Sequence, residues 1–419
     1  MRKRRKFKKK VFVVFGIFLL VICLVGGGLF YKHQEMLKEE AIRIKNEKLL
    51  KKINSHYSDV IEISKDTNFY ELKDSKYIKL GSVSKGEKFN LEKEDITLET
   101  KYFKLKDLGY YVSWEDVKKS DVVSSKSDRY KKYLLFNENL VSKDGSKLYR
   151  EGKLVYTIDK SFEEEVIIKD DTGYFIEYLG ELLFINKEDV LEVKPVNNTD
   201  LEEVSAIPVT VYHFIYLNGD NSCNEMICHS ENQIKEHFTY LNNNSFFTIN
   251  TTELRYYLEG KVRLPKKSIL ITIDDGARAW NFIPILEEYK INATLFLISG
   301  WYETSRFESD YLELASHTHL LHTPGVCSGG QGSPLKCMNM TELVADLKLS
   351  RDTLNGTEAF CFPFYEYNNH GIEALKQAGF KMAFIGGYRK AKRGDDLYKI
   401  PRIPLTRNTT ISQYANYIN

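Results

Sequence analysis

Two adjacent carboxylates, Asp274 and Asp275, end the apolar run Ser268-Ile-Leu-Ile-Thr-Ile and are followed by Gly276. A hydrophobic strand has no need of them. Neighbouring side chains of an extended chain point to opposite sides, so each carboxylate can face a different task where the strand ends. A turn-forming Asp-Asp-Gly without chemistry is the alternative reading. A second apolar run, Leu312-Glu-Leu-Ala-Ser, leads into His317, His319 and His322, three of the nine histidines within six residues. Imidazole and carboxylate at strand ends suit a catalytic divalent ion, Zn2+ foremost, with three protein ligands and open positions. A third run, Ala359-Phe-Cys361-Phe362-Pro363-Phe364-Tyr365, also closes a strand, and its proline and aromatics are placed to line a groove.

These runs belong to a region, 205–419, in which apolar strands alternate with amphipathic helices. The pattern predicts strands at 208–213, 268–273, 293–298, 312–317, 359–364 and 381–385, and helices at 229–241, 251–258, 280–289, 341–354 and 371–378. Such alternation argues for an α/β fold, a parallel barrel or doubly wound sheet, with chemistry at the C-terminal ends of the strands. Upstream, 58–195 consists of short runs rich in Val, Ile, Tyr and Phe between Lys-Asp, Asp-Gly and Lys-Gly turns, and a weak internal repeat divides it. Two small β-barrels, 58–125 and 126–195, are expected; they resemble bacterial SH3-like modules, which implies wall binding, and a spacer role is equally open. The polar stretch Val196–Asp200 reads as a linker.

The 419 residues include 60 basic and 58 acidic side chains. Eight of the basic ones lie within residues 1–10, so the remainder carries 52 against 58, a balance of −6. With no basic stripe, nucleic acid is excluded as a partner. Val11–Tyr31 has no charge over 21 residues, enough to cross a ~30 Å hydrocarbon core as a helix, and the basic segment before it favours a cytoplasmic N-terminus. This predicts a single-pass membrane protein with its C-terminal domains outside the cell; a cleaved signal peptide is the competing reading. Residues 32–57 read as a helical stalk. Cys223 with Cys228, and Cys327 with Cys337, are expected as local disulfides in an oxidising exterior.

Taken in order, Thr272-Ile273-Asp274-Asp275-Gly276, then Ser316-His317-Thr318 with His322, then Phe362-Pro363-Phe364 resemble the polysaccharide deacetylase family (carbohydrate esterase family four), over about 207–410. The resemblance implies a distorted (β/α) barrel that removes N-acetyl groups from a cell-envelope polysaccharide, an N-acetylglucosamine polymer or peptidoglycan. Carried onto this chain, it implies Asp275, His317 and His322 as metal ligands and Asp274 as general base. The five-residue histidine spacing is similar to that of the poly-N-acetylglucosamine deacetylases. The pair His319/His322 stays open, with His319 otherwise a substrate contact beside Phe362, Pro363, Phe364, Tyr365 and Arg402. A backbone N–H near Phe364 or Tyr365 is the implied oxyanion donor. Asp396 and Arg402 are implied to steady the site.

The chain departs from the family in three places. Cys361 stands where the third motif begins with Arg, Tyr365 replaces the usual Gly, and no Leu-x-His occurs near the C-terminus to supply the general acid. His213, in Val211-Tyr-His-Phe214, is the expected substitute. These departures keep two other functions open: an O-acetyl carbohydrate esterase, whose better leaving group needs an acid less, and an inactive surface glycan-binding protein.

Overall fold

The run from Ser268 to Asp275 forms one strand, buried at its first seven residues, as a parallel strand covered on both faces must be. In the structure, a computed structural model, residues 2–106, 108–121, 128–196, 202–220 and 222–419 are described. The barrel strands are β1 (Val209–Tyr212), β2 (Phe247–Ile249), β3 (Ser268–Asp275), β4 (Ala293–Leu297), β5 (Leu312–Ser316), β6 (Ala359–Cys361), β7 (Met382–Gly386) and β8 (Ile400–Pro404). Among the described residues, seven of these close into a parallel ring in the order β1-β8-β7-β6-β5-β4-β3, completed by pairing of β3 with β1. The short β2 pairs with the first residues of β3.

The period of two along β3 decides what faces where. Ile269, Ile271 and Ile273 pack outward with Phe238, Leu241 and Leu286 beneath the helices. Leu270 packs with Val209, Phe296, Ala359 and Phe384, and each such buried side chain contributes roughly 1.5–3 kcal/mol. Residues 270, 272 and 274 share this second face, so Asp274 enters the barrel by register alone. Register also brings Asp275 level with Leu297, and Leu297 level with Ser316, so the carboxylates and the histidine loop meet at one end.

The helices follow their caps. Helix α1 spans Arg2–His56; α2 (Glu231–Asn243) starts at Ser230, whose hydroxyl accepts from the Gln233 amide, and α3 (Thr251–Leu258) carries a capping box of Asn250 and Glu253. The remaining ones are α4 (Ile283–Tyr289), α5 (Met340–Thr353), α6 (Asn369–Ala378) and α7 (Ile411–Ile418). Strand β8 and helix α7 were not expected: prolines at 401 and 404 break the propensity signal of the strand, and α7 is only eight residues long.

The chain divides into two units, Met1–Lys126 with Ser142–Phe162, and Ser127–Val141 with Glu163–Asn419. In the first, α1 runs unbroken for 55 residues. Near its end Ile53 is buried and Lys52 lies 5.3 Å from the Trp114 ring centre. Antiparallel strands at 60–63, 67–73, 76–83 and 110–113 surround a core of Ile61, Phe69, Phe103 and Val112. The hairpin of strands 146–150 and 153–158 joins this unit, Tyr156 pairing with Val83. The second β-domain expected at 126–195 is therefore split between the units. Composition marks hairpins but not which sheet each one extends.

Among the described residues no helix is long and apolar enough to cross a membrane. Most side chains of the expected span Val11–Tyr31 lie outside the described residues, as does the expected linker beyond Val196. Disulfides join Cys223 to Cys228 and Cys327 to Cys337, and among the described side chains Cys361 is a buried thiol.

Candidate active site

At the end of β3 the backbone leaves the extended region sharply. Asp275 has φ 75° and Gly276 φ 107°, and a Cβ on Gly276 would stand 2.5 Å from Leu297 Cδ1 and 2.8 Å from Tyr302 Cδ2. Only glycine fits there. Thr318, Phe364 and Tyr365 also hold left-handed φ values of 78°, 59° and 59°. Four such non-glycine residues around one pocket, each unfavourable by about 1–3 kcal/mol, mark a site where the surrounding fold enforces geometry.

Asp275 Oδ1 lies 3.4 Å from His317 Nε2 and 3.3 Å from His322 Nε2. Three donors at ~2.0–2.1 Å from a common tetrahedral centre lie ~3.3 Å apart, so this set fits a Zn2+-sized ion. His317 Nδ1 meets the Cys361 carbonyl at 2.8 Å; donation there leaves Nε2 as the ligating nitrogen. His322 is held between the rings of Phe364 (4.7 Å) and Trp301 (5.9 Å). Burial, then the neighbouring His317, push His322 down to about 4, so its lone pair is available at neutral pH. The histidine loop is pinned by Asp346 of α5, which accepts the His319 and Leu320 amides at 2.9 Å each.

A second donor group, Asp274, His317 and Cys361, is occupied differently. Arg402 of β8 donates Nη1–H to Asp274 Oδ1 and Nη2–H to Oδ2, both at 2.7 Å, and its Nη2 is 2.8 Å from Cys361 Sγ. A guanidinium on both carboxylate oxygens excludes a cation from that position. Burial acts to raise the Asp274 carboxyl, but Arg402 outweighs it and holds the group well below the usual carboxylate range. His213 Nε2 stands 3.9 Å from Asp274 Oδ2, and burial, only partly opposed by Asp274, keeps its pKa below the ordinary value.

The other expected residues separate into those at the site and those away from it. Phe364 and Tyr365 are half-buried beside it: Phe364 against His322, and Tyr365 with its ring 5.2 Å from the Arg402 guanidinium. Tyr365 donates its N–H to the Phe362 carbonyl at 3.1 Å, so of the two expected oxyanion donors that one is committed. Phe362 and Pro363 are buried, Phe362 in an apolar cluster with Leu335, Leu343 and Phe360. They support the site and do not line a groove, because the residues after β6 continue inward before the chain turns at Phe364.

Arg402, expected at the substrate, has no exposed surface; it is a positioning residue for Asp274. His319 is not in the donor group; its ring meets Ser299 Oγ at 3.1 Å. Asp396 accepts the Tyr398 amide at 2.9 Å and pairs with Lys399, a local turn rather than part of the site. Asp346, Trp301 and the Arg402–Asp274 pair were missed by sequence reasoning. An arginine inside the apolar run Ile400–Ile403 is the one signal that demanded a buried counter-charge.

A family model described as polysaccharide deacetylase matches residues 261–383. Among curated proteins, the chain is similar to the poly-beta-1,6-N-acetyl-D-glucosamine N-deacetylase of Staphylococcus aureus, 25% identical over 213 residues that make up 46% of this chain and 72% of that one. It is also similar to the protein of the same name from Staphylococcus epidermidis, 29% identical over 174 residues, 36% of this chain and 58% of that one. Among solved structures, a de-N-acetylase from Aggregatibacter actinomycetemcomitans aligns with a TM-score of 0.44 and 22% identity, covering 50% of this chain and 99% of that one. Asp274, Asp275 and the histidine loop all lie inside the segment that matches the polysaccharide deacetylase family model.

Proposed function

We propose that the chain hydrolyses N-acetyl groups of an envelope polysaccharide of the poly-N-acetylglucosamine type. The observation that carries the reading is the Asp275, His317 and His322 donor set beside an arginine-held Asp274. A divalent ion, Zn2+ by the donor chemistry, would polarise the acetamide carbonyl and acidify a water molecule. Arg402 keeps Asp274 ionised across the physiological range and fixes its orientation, so the carboxylate accepts the water's proton in one geometry. What Arg402 removes from the basicity of Asp274 is offset by acidification of the water. His213, neutral at rest and 3.9 Å from Asp274, would receive the proton that Asp274 takes from the water and pass it to the departing amine. The remaining oxyanion donor is the Phe364 N–H.

The test is acetate release from N-acetylglucosamine oligomers by metal-stripped protein reloaded with Zn2+, beside an Asp275→Ala control. Metal-dependent release lost in the control is expected; silence with Zn2+ demonstrably bound would overturn the reading. The lowered His213 favours one second reading, an O-acetyl esterase, because an alkoxide leaving group needs less help from an acid. Faster release from O-acetylated xylan than from the oligomers would select it. The anchor proposal, Val11–Tyr31 in the membrane with the rest outside, is supported by the basic flank and by the two disulfides. A wall-binding role of the SH3-like kind belongs to the same proposal and is tested by retention on purified cell walls.

A further inference from the structure

Phe364 and Tyr365 are consecutive left-handed residues without being glycines, and a turn of that kind persists only where its surroundings enforce it. On the upstream side the buried Phe362 and Pro363 do so. On the downstream side the anchor is the side chain of Glu366. Its carboxylate accepts the amide of Gln331, that of Gly332 at 3.1 Å and that of Ser333 at 2.9 Å, and pairs with Lys336 Nζ at 2.8 Å. Burial acts to raise the Glu366 carboxyl, but Lys336 and the amides outweigh it and bring it down to about 2. The anchor is therefore charged at neutral pH, and charge-assisted hydrogen bonds are the strong ones.

The cradle around that carboxylate is built for it. A Cβ on Gly330 would collide with Glu366 Oε1, and one on Gly332, which holds φ 81°, would stand 2.7 Å from the Cys327 carbonyl oxygen. All four donors lie within the loop that the Cys327–Cys337 disulfide closes. Backbone bonds fix the loop further: the Gly325 amide donates to the Gln331 carbonyl at 2.8 Å, and the Val326 and Cys327 amides to that of Gly332 at 2.9 and 3.0 Å. The chain enters this loop directly from His322. Glu366 thus ties the turn after β6 to the segment that leaves one of the three metal-site donors.

We propose that Glu366 is a positioning residue for the reaction: through the disulfide-closed loop it holds the Phe364–Tyr365 turn, and with it the direction of the Phe364 N–H toward the oxyanion. This rests on the proposed activity, in which that N–H is the backbone donor. The part Glu366 plays is geometric. Donors to an oxyanion act by being fixed before charge develops, and a misplacement of about 1 Å lowers the rate by about 10²-fold.

The experiment compares wild type with Glu366→Gln and Gly330→Ala in the full chain in detergent, at saturating Zn2+. In Glu366→Gln, kcat for acetate release from N-acetylglucosamine oligomers should fall about 10–10²-fold while KM changes less than about twofold, the mark of an interaction made in the transition state. Gly330→Ala keeps the charge but crowds the carboxylate out of its cradle, so it should show the same split in smaller degree, and it carries the test should Glu366→Gln not fold. Amide exchange followed by mass spectrometry reads the turn without turnover: Tyr365 and Glu366 donate to the Phe362 and Pro363 carbonyls at 3.1 and 3.0 Å, and a peptide over 362–366 should exchange at least about tenfold faster in both variants while β3 is unchanged. Glu313→Gln is the control for stability alone, since Glu313 accepts from Thr251 and Thr294 near the start of β5; it should leave kcat and exchange at 362–366 as in wild type. An unchanged kcat, a loss confined to KM, faster exchange throughout the barrel, or the same kcat loss in Glu313→Gln would overturn the proposal. Wild-type protein that binds Zn2+ and releases no acetate would instead defeat the proposed function, and exchange at 362–366 would then decide the anchoring by itself.

Discussion

Replacing Arg402 by leucine isolates the ion pair on which the site depends. Arg402 and Asp274 are 0% and 2% exposed and joined by two 2.7 Å hydrogen bonds. Removing one partner of such a pair destabilises by about 3–5 kcal/mol, because the other charge stays buried, whereas removing both is close to neutral. Arg402→Leu should therefore lose about 3–5 kcal/mol at neutral pH, and Arg402→Leu/Asp274→Asn should recover most of it. The pH dependence has a definite sign. With Arg402 present, the folded carboxyl lies below its unfolded value, so the pair's contribution is complete above about pH 4 and is lost as pH falls through the folded pKa. Without Arg402 burial is opposed only by the neighbouring His317 and His213, so the carboxyl should rise above its unfolded value and the penalty should grow as pH rises past about 4. The gap between wild type and variant must shrink in acid. Urea unfolding followed by Trp280 and Trp301, in a Trp114→Phe background that silences the first unit, measures it. Turnover should fall by about 10²-fold or more as Asp274 becomes a neutral acid. A loss below about 1 kcal/mol, no recovery in the double variant, or a gap that widens in acid would refute the reasoning.

Three further outcomes follow from the same geometry. Asp275→Asn or His322→Ala should lower Zn2+ affinity by more than about tenfold in a chelator competition, while His319→Ala leaves it unchanged, since His319 is bonded to Ser299 instead. His213→Gln should reduce acetate release from N-acetylated oligomers by about 10²-fold and from O-acetyl substrates far less; equal losses would remove His213 from amine protonation. Burial holds His229 at about 3 and His237 at about 4, below ~6.5 for the unfolded chain. The unfolded state thus takes up protons first, and stability that is full above about pH 6.5 should drop by about 3 kcal/mol for His237 alone by pH 4, measured by denaturant midpoints and abolished in His237→Gln.

How much of this was legible depended on whether the signal was local. The barrel was, because Ile269 to Ile273 and the runs at 293–297 and 312–316 are continuous apolar strands, and Asp274, Asp275, His317 and His322 sit at their ends. Strand β8 was not: Pro401 and Pro404 hide it, and its arginine acquires meaning only when the ring closes and β8 neighbours β1. Phe362 and Pro363 were misassigned for a related reason, since aromatic and proline residues after a strand look alike whether they face a groove or the core. The split of 126–195 between two units escaped because hairpin pairing is a long-range choice. His319 differs from its neighbours only through Asp346, which lies 27 residues further on and fixes the loop's path.

The exchange of Cys361 for the family's arginine is best understood as a change in where the guanidinium enters. Cys361 lies level with Phe384, and Gly386 with Arg402, across adjacent strands, so the group that grips Asp274 reaches it from β8 rather than β6. A thiol at 361 is small enough to leave that volume to Arg402, with Sγ and Nη2 2.8 Å apart. Arg402 already occupies both oxygens of Asp274, so Cys361→Arg alone should unfold the site, at a penalty of several kcal/mol for the unpaired charge. Combining Cys361→Arg with Arg402→Leu restores one cation to one carboxylate. If charge and orientation at Asp274 are what turnover requires, the double variant should be folded and release acetate at least about tenfold faster than Arg402→Leu. A folded double variant no faster than Arg402→Leu would mean that approach from β8 is itself needed, and that the two strands are not interchangeable as sources of the guanidinium.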